Sequence, residues 1–176
     1  MTIYLKHMPN SAGDPWPAAP QPDTIAGWEA ANITLPEAYR AFMLRYNGGA
    51  IYPLEFEITI NEDAADMLDI PAESGVDILF DWNTFQQTNT QTQPWRDYMI
   101  AIGYDTTSSI IGLGSDGRVL YWWRNLANEW EVEDDGPYPV GVLGNDFQGF
   151  IEDLSGDTAP RWNLPGDLDN AMKIEF

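Results

Sequence analysis

The sequence contains no cysteine and a single histidine, His7, so disulfide scaffolds, thiolate-bound zinc and Ser-His or Cys-His catalysis lose the groups they need. Basic side chains are nearly as scarce. Eight Lys and Arg stand against 28 Asp and Glu, a formal charge of -20 at pH 7. A surface of that sign repels nucleic acid and anionic membrane and speeds encounter with a basic partner. Also missing are an apolar run near the ~20 residues of a membrane helix and a basic stretch leading into an apolar one at either end. The expectation is a cytoplasmic protein that contacts neither membrane nor nucleic acid.

What is present is the composition of a folded protein. The chain has 176 residues, 44% of them hydrophobic, with eight tryptophans. One domain of that length buries roughly 70% of its unfolded surface. Acidity alone also serves solubility, so charge by itself does not identify a partner.

Periodicity divides the chain. Residues 1–23 carry Pro9, Pro15, Pro17, Pro20 and Pro22 and read as a Pro-rich extended arm, with Trp16 available to fasten it to the domain. Asp23 can cap a first helix running to Asn32, with Ile25 and Trp28 inward. In "TLPEAYRAFMLRYNGG" Tyr39, Phe42, Met43 and Tyr46 share one helical face over Leu35 to Asn47. Thr34 and Glu37 suit a capping box, and Gly48 and Gly49 supply the left-handed stop. The period then changes from 3.6 to two: in "PLEFEITI" Leu54, Phe56, Ile58 and Ile60 alternate with Glu55, Glu57 and Thr59, a half-buried strand.

Further strands are predicted over 76–80, 98–102, 109–113, 119–123 and 129–133, separated by Gly, Asn and Asp turns. Residues 61–75 read as an acidic loop or irregular helix, and 81–97 as a helix around Trp82 and Phe85 or a loop, given the low-complexity "QQTNTQTQ". A last helix, capped by Asn145, places Phe147, Phe150, Ile151 and Leu154 on one stripe. The remaining residues, 155–176, form a tail that Trp162 and Phe176 can dock on the domain. Short helices flanking a mostly antiparallel sheet give an α+β fold in one domain, residues 24–154.

Motifs for chemistry fail on context. "GLGSDG" fits G-x-G-x-x-G, but "RVLYWW" after it is a strand and not the helix that would hold a pyrophosphate, so the segment is a hairpin turn. Carboxylates are too numerous for any pair to stand out as a glycosidase acid and base. Asp134 and Asp135 lack the spacing of a calcium loop, and no metal or cofactor is expected. Trp122 and Trp123 are neighbours on a strand, so only one of them points to the core side of the sheet; the other is exposed or covered by Trp130. The densest acidic cluster is Glu129, Glu131, Glu133, Asp134 and Asp135, where three carboxylates on one strand face would form a ridge for a basic groove. Asp105 and Asp116 are loop contributors, with Glu55 and Glu57 as a second surface.

The order of Trp28-Glu29, "LPEAYRAFMLRYNGG", Trp95, "IAIGYD", "GRVLYWW" and "DFQGFIEDL" resembles the SUKH superfamily. That superfamily groups a fungal cell-wall-assembly regulator with many bacterial immunity proteins of polymorphic toxin systems. The likeness covers residues 24 to 154 and leaves out the arm, the tail and the Gln/Thr-rich stretch. It implies an α+β domain that is not an enzyme and that works by binding and blocking a cognate, basic toxin, often a nuclease. A rigid acidic surface suits that role because a nuclease channel must be basic to hold phosphates. A regulatory interaction module of the fungal kind and an unrecognised hydrolase or sugar binder stay open as alternatives.

Overall fold

A computed structural model describes residues 2–7, 15–59, 73–123, 140–155 and 171–176. Its first strand, β1 (Tyr4–Lys6), precedes helix α1 (Pro22–Ala31) and helix α2 (Glu37–Arg45). Strands β2 (Ala50–Tyr52), β3 (Glu55–Glu57) and β4 (Glu73–Leu79) lead to helix α3 (Trp82–Thr90) and a 3-10 turn over Pro94–Asp97. Strands β5 (Met99–Asp105), β6 (Ile110–Gly114), β7 (Val119–Trp122) and β8 (Val140–Gly144) follow. Helix α4 (Phe147–Glu152) and strand β9 (Met172–Lys173) complete the order, and the fold is α+β.

Antiparallel pairing is complete in the main sheet, ordered β3-β4-β5-β6-β7-β8. The sheet also curls back on itself. Beyond β3, Thr59 exchanges backbone hydrogen bonds with Val142 of β8 at 3.1 and 2.8 Å, so the first strand reaches the last. A contact of this kind covers part of the edge that would otherwise template aggregation. A second sheet, β2-β1-β9, brings the two ends of the chain together, and Gly49 bridges it to Leu79 of β4.

The stripe of α2 is core, as its periodicity predicts: Tyr39, Phe42, Met43 and Tyr46 are buried. Tyr39 and Phe42 pack against Phe147 of α4 at ring distances of 5.0 and 5.2 Å, while Phe56 of β3 meets Phe150 of α4 and Tyr121 of β7. Helix α4 therefore carries the core from α2 to the sheet. Phe147, Phe150, Ile151 and Leu154 are all buried, but the cap is Asp146, whose carboxylate accepts from the Gly149 N–H at 2.7 Å, and not Asn145.

The capping box expected at α2 does not form. Proline holds the N-cap position, and the Leu35 N–H is taken by Glu29 of α1 at 2.8 Å. Glu29 also pairs with Arg40 at 2.6 Å, so one carboxylate fastens α1 to α2. Arg45 pairs with Glu175 at 3.5 Å. The stop is three residues in the positive-φ region, beginning one residue before the two glycines: Asn47, Gly48 and Gly49. A side chain at Gly48 would run into the backbone of Leu79 and Phe80, so only glycine fits there.

Residues 81–97 resolve in favour of helix. Asp81 caps α3 through the N–H groups of Asn83 and Thr84, and the buried Asn89 side chain gives two hydrogen bonds and accepts one, clamping the helix to Ala101 of β5. Both Trp122 and Trp123 are buried, which excludes an exposed indole at this pair. The predicted strand 129–133, Trp130 and Trp162 lie outside the described residues. Phe176 is 47% exposed yet touches Phe147 edge-on, and Ile174 beside it is buried.

Candidate protein-binding surface

Asp105 ends β5 at the last position of "IAIGYD" and is 1% exposed. One carboxylate oxygen accepts from the backbone N–H groups of Thr107 and Ser109 at 2.8 and 2.7 Å. The other accepts from Ser74 Oγ and Tyr121 OH, each at 2.7 Å, and Thr107 Oγ1 reaches both oxygens. Donors from β4, β7 and the β5–β6 turn thus converge on a single buried charge and satisfy it. Burial raises the Tyr121 phenol, and the neighbouring Asp105 carboxylate adds to the effect. This geometry corrects the expectation that Asp105 faces a partner: it is a bolt inside the fold.

Asp116 does lie at the surface, in the hairpin between β6 and β7 where Gly117 takes a φ of +86°. Its carboxylate accepts from the Arg118 N–H and pairs with the Arg118 guanidinium at 2.6 Å. Those donors hold its acid below the usual carboxylate range. The hairpin also settles "GLGSDG" as a turn, with strands on both sides and Gly114 N–H donating to Arg118 O.

Glu57 is exposed on β3 and Glu55 is half-buried, with Leu54, Phe56 and Ile58 on the buried side, as period two predicts. Glu57 borders a cleft of about 360 Å³ with Asp153, Thr59 and Leu143, beside the β3–β8 closure. The acidic ridge of Glu129, Glu131, Glu133, Asp134 and Asp135 lies outside the described residues.

A second cleft, of about 320 Å³, opens where the end of α1, the 3-10 turn and the ends of β5 and β6 meet. Met99 and Leu113 are buried in its wall, and Trp28 lines it while packing on Phe85 and Trp82 of α3 at 5.0 and 6.2 Å. Ile33 and Tyr98 stand at this opening, 43% and 38% exposed. Sequence reasoning passed over this cleft because its residues come from four separate segments and none forms a motif. Among the described residues no group of three or more His, Asp or Glu is placed to hold a metal ion, and no helix is long and apolar enough to cross a membrane.

The other residue missed is Asn47. It is 1% exposed, its side-chain oxygen accepts from the Trp82 N–H at 2.7 Å, and its side-chain nitrogen donates to Pro17 O and Ala18 O. Trp16 returns a hydrogen bond to Asn47 O at 2.8 Å and stacks on His7, whose Nε2 meets Tyr46 O at 2.6 Å. The arm is thus fastened to the end of α2, through Trp16 as the sequence suggested. "YNGG" was the available signal, since Asn tolerates left-handed backbone.

Comparison with known proteins agrees with this architecture. The family model described as SMI1 / KNR4 family (SUKH-1) matches residues 22–153, from the start of α1 to the end of α4. No curated protein and no solved structure matches the chain. With three quarters of its length inside one family model, and the helices, glycine stop and "IAIGYD" strand in their places, the chain belongs to the SMI1 / KNR4 (SUKH-1) family.

Proposed function

We propose that this protein is an immunity protein that binds a cognate basic toxin, of the nuclease type, and blocks it by occupying its substrate channel. The observation that carries the reading is the formal charge of -20 on a chain of this family. A channel that holds phosphates is lined with Lys and Arg, and a folded acidic surface competes for it without any chemistry of its own. The absence of cysteine and the placement of the lone histidine in the arm, its ring stacked on Trp16, favour binding over catalysis. No cofactor is required. The proposed contact surface is the ridge Glu129, Glu131, Glu133, Asp134 and Asp135, joined by the exposed Asp116 and by Glu57 with Glu55.

The test is to look for a secreted protein with a basic C-terminal domain encoded beside this gene, co-express that domain with this protein, and assay its inhibition with purified components. Cells that make the toxin should survive only when this protein is made with it, a stable complex should form, and association should slow as salt rises. Toxin activity undiminished by an excess of this protein overturns the proposal.

A further inference from the structure

We infer that the 320 Å³ cleft at the end of α1 is an anchor pocket for one bulky apolar side chain that a partner protein presents beside a lysine or arginine. The inference rests on the protein-binding reading above and adds to it a place and a chemistry. Three large hydrophobic side chains are exposed among the described residues, and two of them, Ile33 and Tyr98, stand at this opening. Trp28, Tyr98 and Arg96 all line it, the residue types in which binding energy concentrates at protein interfaces. Met99 in the wall is a flexible, polarisable side chain that adapts to an incoming apolar group. The volume lies at the lower end of the range for binding pockets and accommodates one bulky side chain.

Charge decides which neighbours that side chain carries. Arg96 donates to the Gln91 carbonyl at 3.3 Å, which draws its guanidinium toward the end of α3. Asp97 is exposed on the lip, whereas Asp116, next to the lining residue Ser115, is already paired with Arg118. With a formal charge of -20 behind it, the Asp97 carboxylate favours an apolar side chain flanked by cations and opposes one flanked by acids. Long-range attraction brings a basic partner in, and the cleft gives it something to hold once the charges have met.

The experiment titrates the isotope-labelled full chain with three capped peptides: one with Phe between two Lys, one with Ala in place of Phe, and one with Glu in place of both Lys. The first should bind saturably and shift the backbone amides of residues 32–33, 96–100 and 113–115, with affinity at least about tenfold above the other two. Ile33→Asp should abolish that binding, and Asp97→Lys should weaken the preference for flanking cations. Both positions are exposed, so the fold tolerates them. Equal affinity for the three peptides, shifts confined to another surface, or indifference to both substitutions overturns the anchor pocket. The toxin takes no part in this measurement, so such a result leaves the neutralisation test standing. Failure of neutralisation with peptide selectivity intact removes the toxin reading alone.

Discussion

Two buried phenols have opposite accounts. Tyr121 donates to Asp105 at 2.7 Å, whereas Tyr39 OH has no hydrogen-bond partner among the described residues. Tyr121→Phe leaves a buried carboxylate short of a donor and should cost about 1–3 kcal/mol. Tyr39→Phe removes a polar atom from an apolar setting and should be neutral or slightly stabilising. Urea titration of the two variants checks the contrast, and equal losses would contradict it. Burial raises both phenols above the ordinary value, with Asp81 adding to the effect at Tyr39 and Asp105 at Tyr121. Below about pH 10 both states keep these protons, and above it the unfolded chain loses them first. Stability should therefore fall in the alkaline range, by about 1.4 kcal/mol per pH unit for each tyrosine, and Tyr39→Phe should reduce the slope.

At the scale of elements, α2 is held by packing and by its ends. Phe42→Ala should cost about 3–5 kcal/mol, because the ring fills the junction with Phe147 and Tyr46 and leaves a cavity behind. Glu57→Ala on the wet face of β3 should change stability by less than about 0.5 kcal/mol. Comparable effects in a denaturant titration would place the strand faces wrongly. At the other end, Asn47→Ala removes three side-chain hydrogen bonds and puts a Cβ residue with no compensating side chain at a φ of 55°. A loss of about 2–4 kcal/mol is expected. Amide exchange at Trp16, Ala18 and Ala19 should rise more than in α3, because Trp82 keeps its packing against Phe85.

For the molecule as a whole, the proposed toxin-binding role makes the charge of -20 the term that sets the rate of encounter. Glu131→Lys combined with Asp134→Lys should slow association with the toxin and flatten its salt dependence while leaving the unfolding midpoint in place. Unchanged rates at low and moderate salt would remove the ridge from the interface. The elements were legible to different degrees for physical reasons. A stripe such as Tyr39, Phe42, Met43 and Tyr46, or an alternation such as Leu54, Phe56 and Ile58, is a local record of which side faces the core. The helix start was misread because the Leu35 N–H went to Glu29, a residue on another helix. Helix α3 escaped a firm reading because its clamp, Asn89, works through Ala101 across the fold.

The sequence by itself determined the class of fold, the family, the buried faces of α2, β3 and α4, and an acidic surface without thiol chemistry, because composition and period follow from residue order alone. Only the tertiary structure decided that β3 closes on β8, that Asp105 lies inside a ring of donors, and that Asn47 fastens the arm. It alone decided also that Trp28, Ile33, Tyr98 and Met99 open one cleft. Each of these depends on groups far apart in the chain meeting at hydrogen-bond or packing distance, and no local pattern specifies which distant donor a carboxylate will find.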